Sequence, residues 1–114
     1  MTGITELAAA LGVNGALTKL SLAQNKLEEE GTKAICESLE QNTTLKELDI
    51  SGDWASNIGG PAGVKHVAKM LGINSSLTEC DLSNNNMSKE GEALIRKAVE
   101  GKAGFKLHLN RDHQ

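Results

Sequence analysis

The strongest constraint on this chain is a pattern that returns in register along its length. The first copy runs Leu17-Thr18-Lys19-Leu20-Ser21-Leu22, then Asn25 and Leu27, then Gly31, Ile35 and Leu39. The second sets Leu45, Leu48 and Ile50 at matching steps, followed by Gly63, Val67 and Leu71. The third sets Leu77, Cys80 and Leu82, then Asn85 and Met87, then Gly91, Ile95 and Val99. The copies start 28 and then 32 residues apart, and a further 28 residues reach Phe105. A fixed period of this length means stacked units, none of which buries its apolar face alone.

Each copy has two mechanical halves. Leu20 with Leu22, Leu48 with Ile50, and Cys80 with Leu82 alternate with polar residues, the period of a strand with one buried face. Ile35 with Leu39, Val67 with Leu71, and Ile95 with Val99 are spaced i and i+4, the stripe of a helix. Asn25 and Asn85 stand where the strand turns away, with an amide able to bond the backbone of that turn and its neighbour. Gly31, Gly63 and Gly91 allow a tight entry into each helix. The four extra residues of the second copy fall between Asp53 and Asn57, so Asp53 takes the Asn position unless Asn57 does after the insertion.

Partial copies flank these three. Leu7 and Leu11 precede Asn14 as Ile35 and Leu39 precede Asn42, and Phe105-Lys106-Leu107-His108-Leu109 reads as a strand half. The result is one domain: a half repeat over 1–16, repeats over 17–44, 45–76 and 77–104, and a terminal strand and tail over 105–114. In the last copy a strict period buries His108, whereas the alternation buries Leu107 and Leu109. The alternation is preferred, because burying His108 and Asn110 leaves polar groups unpaired.

The motif Leu-x-x-Leu-x-Leu-x-x-Asn-x-Leu, with Gly six residues after the Asn and a helix next, resembles the ribonuclease-inhibitor type of leucine-rich repeat. The resemblance extends from about Leu7 to Leu109. It implies a right-handed α/β solenoid, with a parallel β-sheet on the concave side and α-helices on the convex side. It also implies binding of another protein through repeat surfaces, without naming the partner. Cys80 in place of a strand leucine departs from the pattern.

In parallel strands held in register, equivalent positions of neighbouring repeats lie about 4.8 Å apart. The concave face then carries a row Lys19, Glu47, Glu79, Lys106 and a second row Ser21, Asp49, Asp81, His108. Glu47, Asp49, Glu79 and Asp81 are expected to cluster, repelling one another by about 1 kcal/mol per close pair in water. Such a cluster suits a basic peptide or a positively charged protein patch. Against that stands a purely architectural reading, in which Asp after the strand leucine is common in the repeat and Lys19 and Lys106 neutralise the Glu row. No cofactor is expected, and adjacent carboxylates alone do not close a divalent-metal shell. The loop over 52–61 holds Trp54, the chain's single tryptophan. Trp54 is read either as a partner anchor or as a cover over the end of the core.

Composition bounds the rest. With 114 residues, a net charge of −3 and two aromatic residues, the chain lacks the basic surplus and stacking platforms of a nucleic-acid binder. No apolar run has membrane-spanning length. Cys36 and Cys80 are too few for a disulfide scaffold, and the N-terminus carries no export signal, so a cytoplasmic setting is expected. Asn42, Asn74 and Asn86 head glycosylation triplets and are read as turn asparagines. No nucleophile-elbow, phosphate-loop or zinc spacing occurs, Cys80 reads as a small core hydrophobe, and His66 has no carboxylate partner that sequence can assign. A non-catalytic binding module follows, monomeric or weakly dimeric. The alternatives are a self-associating repeat, part of a larger receptor or scaffold, or more remotely a GTPase-regulating repeat protein.

Overall fold

The computed structural model describes residues 16–23, 26–52, 57–85 and 87–109. Expectations for the opening half repeat before Ala16, for Asn25, Trp54 and Asn86, and for the tail from Asn110 lie outside these residues. Strand and helix alternate: β1 (Lys19–Ser21), α1 (Glu28–Gln41), β2 (Glu47–Asp49), α2 (Gly60–Ile73), β3 (Glu79–Asp81), α3 (Lys89–Ala98) and β4 (Lys106–His108). The four strands form one parallel sheet in the order β1-β2-β3-β4, and the helices pack side by side, α1 on α2 and α2 on α3.

Register follows the repeat. Lys19 pairs with Glu47, Glu47 with Glu79, and Glu79 with Lys106; Leu20, Leu48, Cys80 and Leu107 form the inward row. The alternation was therefore the right guide in the last copy. Backbone bonds clip successive repeats on both sides of the strands. Leu22 N donates to Asp49 O (2.7 Å), Ile50 N to Asp81 O (3.0 Å) and Leu82 N to His108 O (2.9 Å). On the other side, Lys46 N donates to Thr18 O (2.7 Å), Thr78 N to Lys46 O (2.8 Å) and Lys106 N to Thr78 O (2.9 Å).

The core lies between sheet and helices. Leu48, Ile50, Cys80 and Leu82 from the sheet side meet Ile35, Leu39, Val67, Leu71 and Ile95 from the helices, all buried. Leu20 and Leu107 are only half-buried, because they belong to the outer strands of the described sheet. Val99 falls just past α3 and is likewise half-buried. Local signals set the helix starts. Glu28, Glu29 and Glu30 crowd the first turn of α1, where the helix dipole favours negative charge. Pro61 occupies the first turn of α2, where its missing N–H is not needed. At α3 the Ser88 hydroxyl accepts from Gly91 N at 3.1 Å.

Two buried side-chain ladders stitch the repeats together. Asn57, not Asp53, takes the asparagine position of the second repeat. Its Nδ2 donates to Leu22 O (2.9 Å) in the preceding repeat, and its Oδ1 accepts from Leu27 N (3.0 Å). Its own N–H donates to Asn85 Oδ1 (2.6 Å), while Asn85 Nδ2 reaches back to Ile50 O (2.9 Å). The second ladder runs below the helix ends. Asn42 Oδ1 accepts from Leu45 N (2.8 Å), and Asn74 Nδ2 donates to Leu39 O (2.6 Å) and Asn42 O (3.1 Å). One period on, Lys102 Nζ donates to Asn74 O at 2.8 Å and so takes the place of the asparagine amide. Asn42 and Asn74 are 4% and 2% exposed, so these two triplets are turn asparagines and not open glycan acceptors.

Candidate functional site

The sheet face turned away from the helices is set by three-residue strands whose middle residue points into the core. The outer two residues of β2 and β3 therefore face outwards, which brings Glu47, Asp49, Glu79 and Asp81 together on adjacent strands. With Lys19 and Ser21 of β1 they line an open groove of about 460 Å³.

The four carboxylates do not share one environment. Asp49 Oδ1 accepts from Ser51 N (3.0 Å) and Ser51 Oγ (2.7 Å), and Asp81 Oδ1 accepts from Ser83 N (2.9 Å) and Ser83 Oγ (2.6 Å). These are turns at the strand ends, so each aspartate holds its own backbone as well as facing the groove. The glutamates instead meet the side chains of a lysine and a histidine. Lys19 Nζ lies 3.4 Å from Glu47 Oε2, and His108 Nε2 lies 2.7 Å from Glu79 Oε2. The expected bracketing of the Glu row by two lysines thus holds at Lys19. At the other end, no ion pair among the described residues joins Lys106 to Glu79, because the imidazole of His108 takes that carboxylate. Lys106 sits beside Glu79 in register and is exposed.

The repeat-structural residues divide by what they touch. A Cβ on Gly63 would collide with Ile58 O, so glycine there answers to close approach and not to backbone sign. At Gly91 a Cβ would meet Val64 Cγ1 at 3.4 Å, an ordinary contact. Gly31 is buried in the first turn of α1. His66, on α2, has a partner that sequence could not assign: its Nε2 lies 3.3 Å from Glu29 Oε2 on α1. That pair crosses the helix layer, away from the groove.

Neither Cys36 nor Cys80 is prepared for nucleophilic chemistry. Cys36 and Cys80 are free and buried. Burial, assisted by Glu40 and Glu37, pushes the Cys36 thiol up to about 12. Cys80, fully enclosed, is raised further by burial and then by Cys36, Asp81 and Asp49. A thiol held in its protonated form is a small apolar filler, since the thiolate is the reactive species. Among the described residues no three His, Cys, Asp or Glu side chains converge to hold a metal ion. No described helix is long and apolar enough to cross a membrane.

Comparison with known proteins agrees with the fold. A family profile described as Leucine Rich repeat matches residues 14–36 and 41–52. Ribonuclease inhibitor of Sus scrofa is 36% identical over 100 residues, covering 86% of this chain and 21% of that protein. NACHT, LRR and PYD domains-containing protein 13 of Homo sapiens is 32% identical over 95 residues, covering 82% of this chain and 9% of that protein. Among solved structures, leiomodin-1 actin-binding site 2 superposes with a TM-score of 0.82 at 20% identity. That match covers 97% of this chain and 64% of the other, a likeness of fold. The chain thus spans a small fraction of the curated relatives it matches. With its repeat period, its parallel ladder and its asparagine stitching, it is a leucine-rich-repeat protein of the ribonuclease-inhibitor-like type.

Proposed function

We propose that this chain is a non-catalytic, intracellular protein-binding module that grips its partner on the outward face of the parallel sheet. The observation that carries the reading is the in-register placement of Glu47 beside Glu79 and Asp49 beside Asp81. A face with this sign and spacing complements a basic protein surface and gains on-rate and orientation from it. The names of two similar proteins, a ribonuclease inhibitor and an actin-binding site of leiomodin-1, support binding of another protein as the class of function. The loop over 52–61, which holds Trp54, is the second contact in this reading, since tryptophan is a frequent anchor at interfaces. Neither nucleic acid nor membrane is part of the proposed partnership, and the chain acts as a monomer or weak dimer.

The test is a pull-down from cell lysate comparing the native chain with Glu47→Lys/Glu79→Lys at low and high salt. Partners held by the native chain and lost on charge reversal and in high salt support the reading. Capture of the same proteins by both variants contradicts it and moves attention to Trp54→Ala.

A further inference from the structure

At β4 the sheet keeps an unpaired edge. Lys106 N donates to Thr78 O and His108 O accepts from Leu82 N, so the alternate residue, Leu107, turns its N–H and C=O away from β3. No hydrogen bond among the described residues takes up either group. An edge of this kind is a template for a further strand. Around it Phe105, Leu107 and Leu109, with Ala98 and Val99 from the helix side, are only half-buried against the core.

The helix layer decides which way that further strand runs. One and five steps beyond Gly31, Gly63 and Gly91 stand Thr32 and Cys36 in α1, Val64 and Ala68 in α2, and Glu92 and Arg96 in α3. Thr32, Cys36 and Val64 are buried, and Val64 faces the following repeat, where its Cγ1 meets the Cβ position of Gly91. Glu92 is half-buried and Arg96 exposed, and neither enters an ion pair among the described residues. A repeat stacked in parallel would set Glu92 against the close-packed start of the next helix, stripping a carboxylate of water without a partner. A second copy related by a two-fold axis through Leu107 reverses α3 instead, and Glu92 of each copy then meets Arg96 of the other. We infer that this end of the solenoid is a self-association surface: β4 pairs antiparallel with β4 of a second copy, Leu107 against Leu107, and two Glu92–Arg96 pairs close the helix layer. The two-fold contact is self-complementary, so assembly stops at the dimer. Three-residue strands supply few hydrogen bonds, which makes the dimer weak. The surface does not rest on the acidic-face reading, and its failure leaves that reading intact.

The experiment is sedimentation of the whole chain over about 5–500 µM. Lys106 and His108 of the two copies fall opposite each other in this pairing, so the buffer is held near about pH 8, where an ordinary imidazole is neutral. The native chain is expected to pass from monomer to dimer. Glu92→Arg and Arg96→Glu each set like charges across the axis, and each alone is expected to dimerise at least tenfold more weakly. Mixed in equal amounts, the two variants regain both opposite-charge pairs, and the mixture is expected to return to within about threefold of the native affinity. Leu107→Pro removes the outward N–H while sparing the bonds to β3, and is expected to stay monomeric with a native circular dichroism spectrum. A native chain that remains monomeric throughout, species larger than a dimer, or a mixture no tighter than its components overturns the inference. Undiminished dimerisation of Leu107→Pro overturns it as well.

Discussion

Asn57 concentrates more of the fold's logic than any other described side chain. One amide serves Leu22 O, Ile50 O, Ser51 O and Leu27 N, joining two repeats at the point where the chain leaves the sheet. Removing a buried side chain of this kind strands several backbone groups without water. Asn57→Ala is expected to lower stability by about 2–4 kcal/mol, read from the midpoint of urea unfolding. A loss no larger than that of an exposed substitution such as Glu37→Ala contradicts the ladder's role. The thiols give a second prediction. Cys36 is raised from 9.0 to about 12, and Cys80 is raised too. Above pH 9 the unfolded chain sheds these protons while the native chain keeps them, so stability falls as pH rises towards 12. The slope is about 1.4 kcal/mol per pH unit for each thiol. Unfolding midpoints at alkaline pH check this, and Cys36→Ala is expected to show the shallower decline.

Among the elements, the helix starts carry the strain. Glu28 adopts φ 58°, at the position where the next repeat has Gly60 with φ 71°. A side chain in the left-handed region is disfavoured, so Glu28→Gly is expected to stabilise the fold by about 0.5–1 kcal/mol despite the greater freedom of the unfolded chain. A fall in the thermal midpoint contradicts that account. Gly59 is the opposite case: its φ is 87°, and a Cβ there would lie 2.6 Å from the Glu28 carbonyl carbon. Gly59→Ala is expected to destabilise by about 2–3 kcal/mol in the same assay.

Much of this level was legible in the sequence because a repeated motif repeats its geometry: the strand centres, the helical stripes and the outward rows follow from position alone. Asn57 was left open against Asp53, although the six-residue step back from Gly63 lands on it. Lys102 in the second ladder was not foreseen, because a lysine that reaches Asn74 O looks like any solvated lysine in a list of residues. The His108–Glu79 and His66–Glu29 contacts were also out of reach, since rotamers and not register decide them: His108 stands opposite Asp81 yet meets Glu79, and His66 reaches across to a neighbouring helix.

On the scale of the whole molecule, parallel strands with helices on one side leave the other side of the sheet open, and its side chains are free to vary without disturbing the core. The two aspartates are partly committed to Ser51 and Ser83, whereas Glu47 and Glu79 have no bond to the backbone among the contacts of the face. Glu47 and Glu79 are therefore the residues whose reversal alters the surface with least effect on stability. Exposed ion pairs contribute about 0–1 kcal/mol each, so Glu47→Lys/Glu79→Lys is expected to fold. The decisive measurement is the affinity of a captured partner for that variant beside Glu37→Lys/Glu90→Lys, which changes net charge equally on exposed helical residues. The sheet-face account predicts at least tenfold weaker binding, about 1.4 kcal/mol, for Glu47→Lys/Glu79→Lys alone. Equal weakening by both variants would reduce the effect to net charge, and preserved affinity in the sheet-face variant would contradict the account outright.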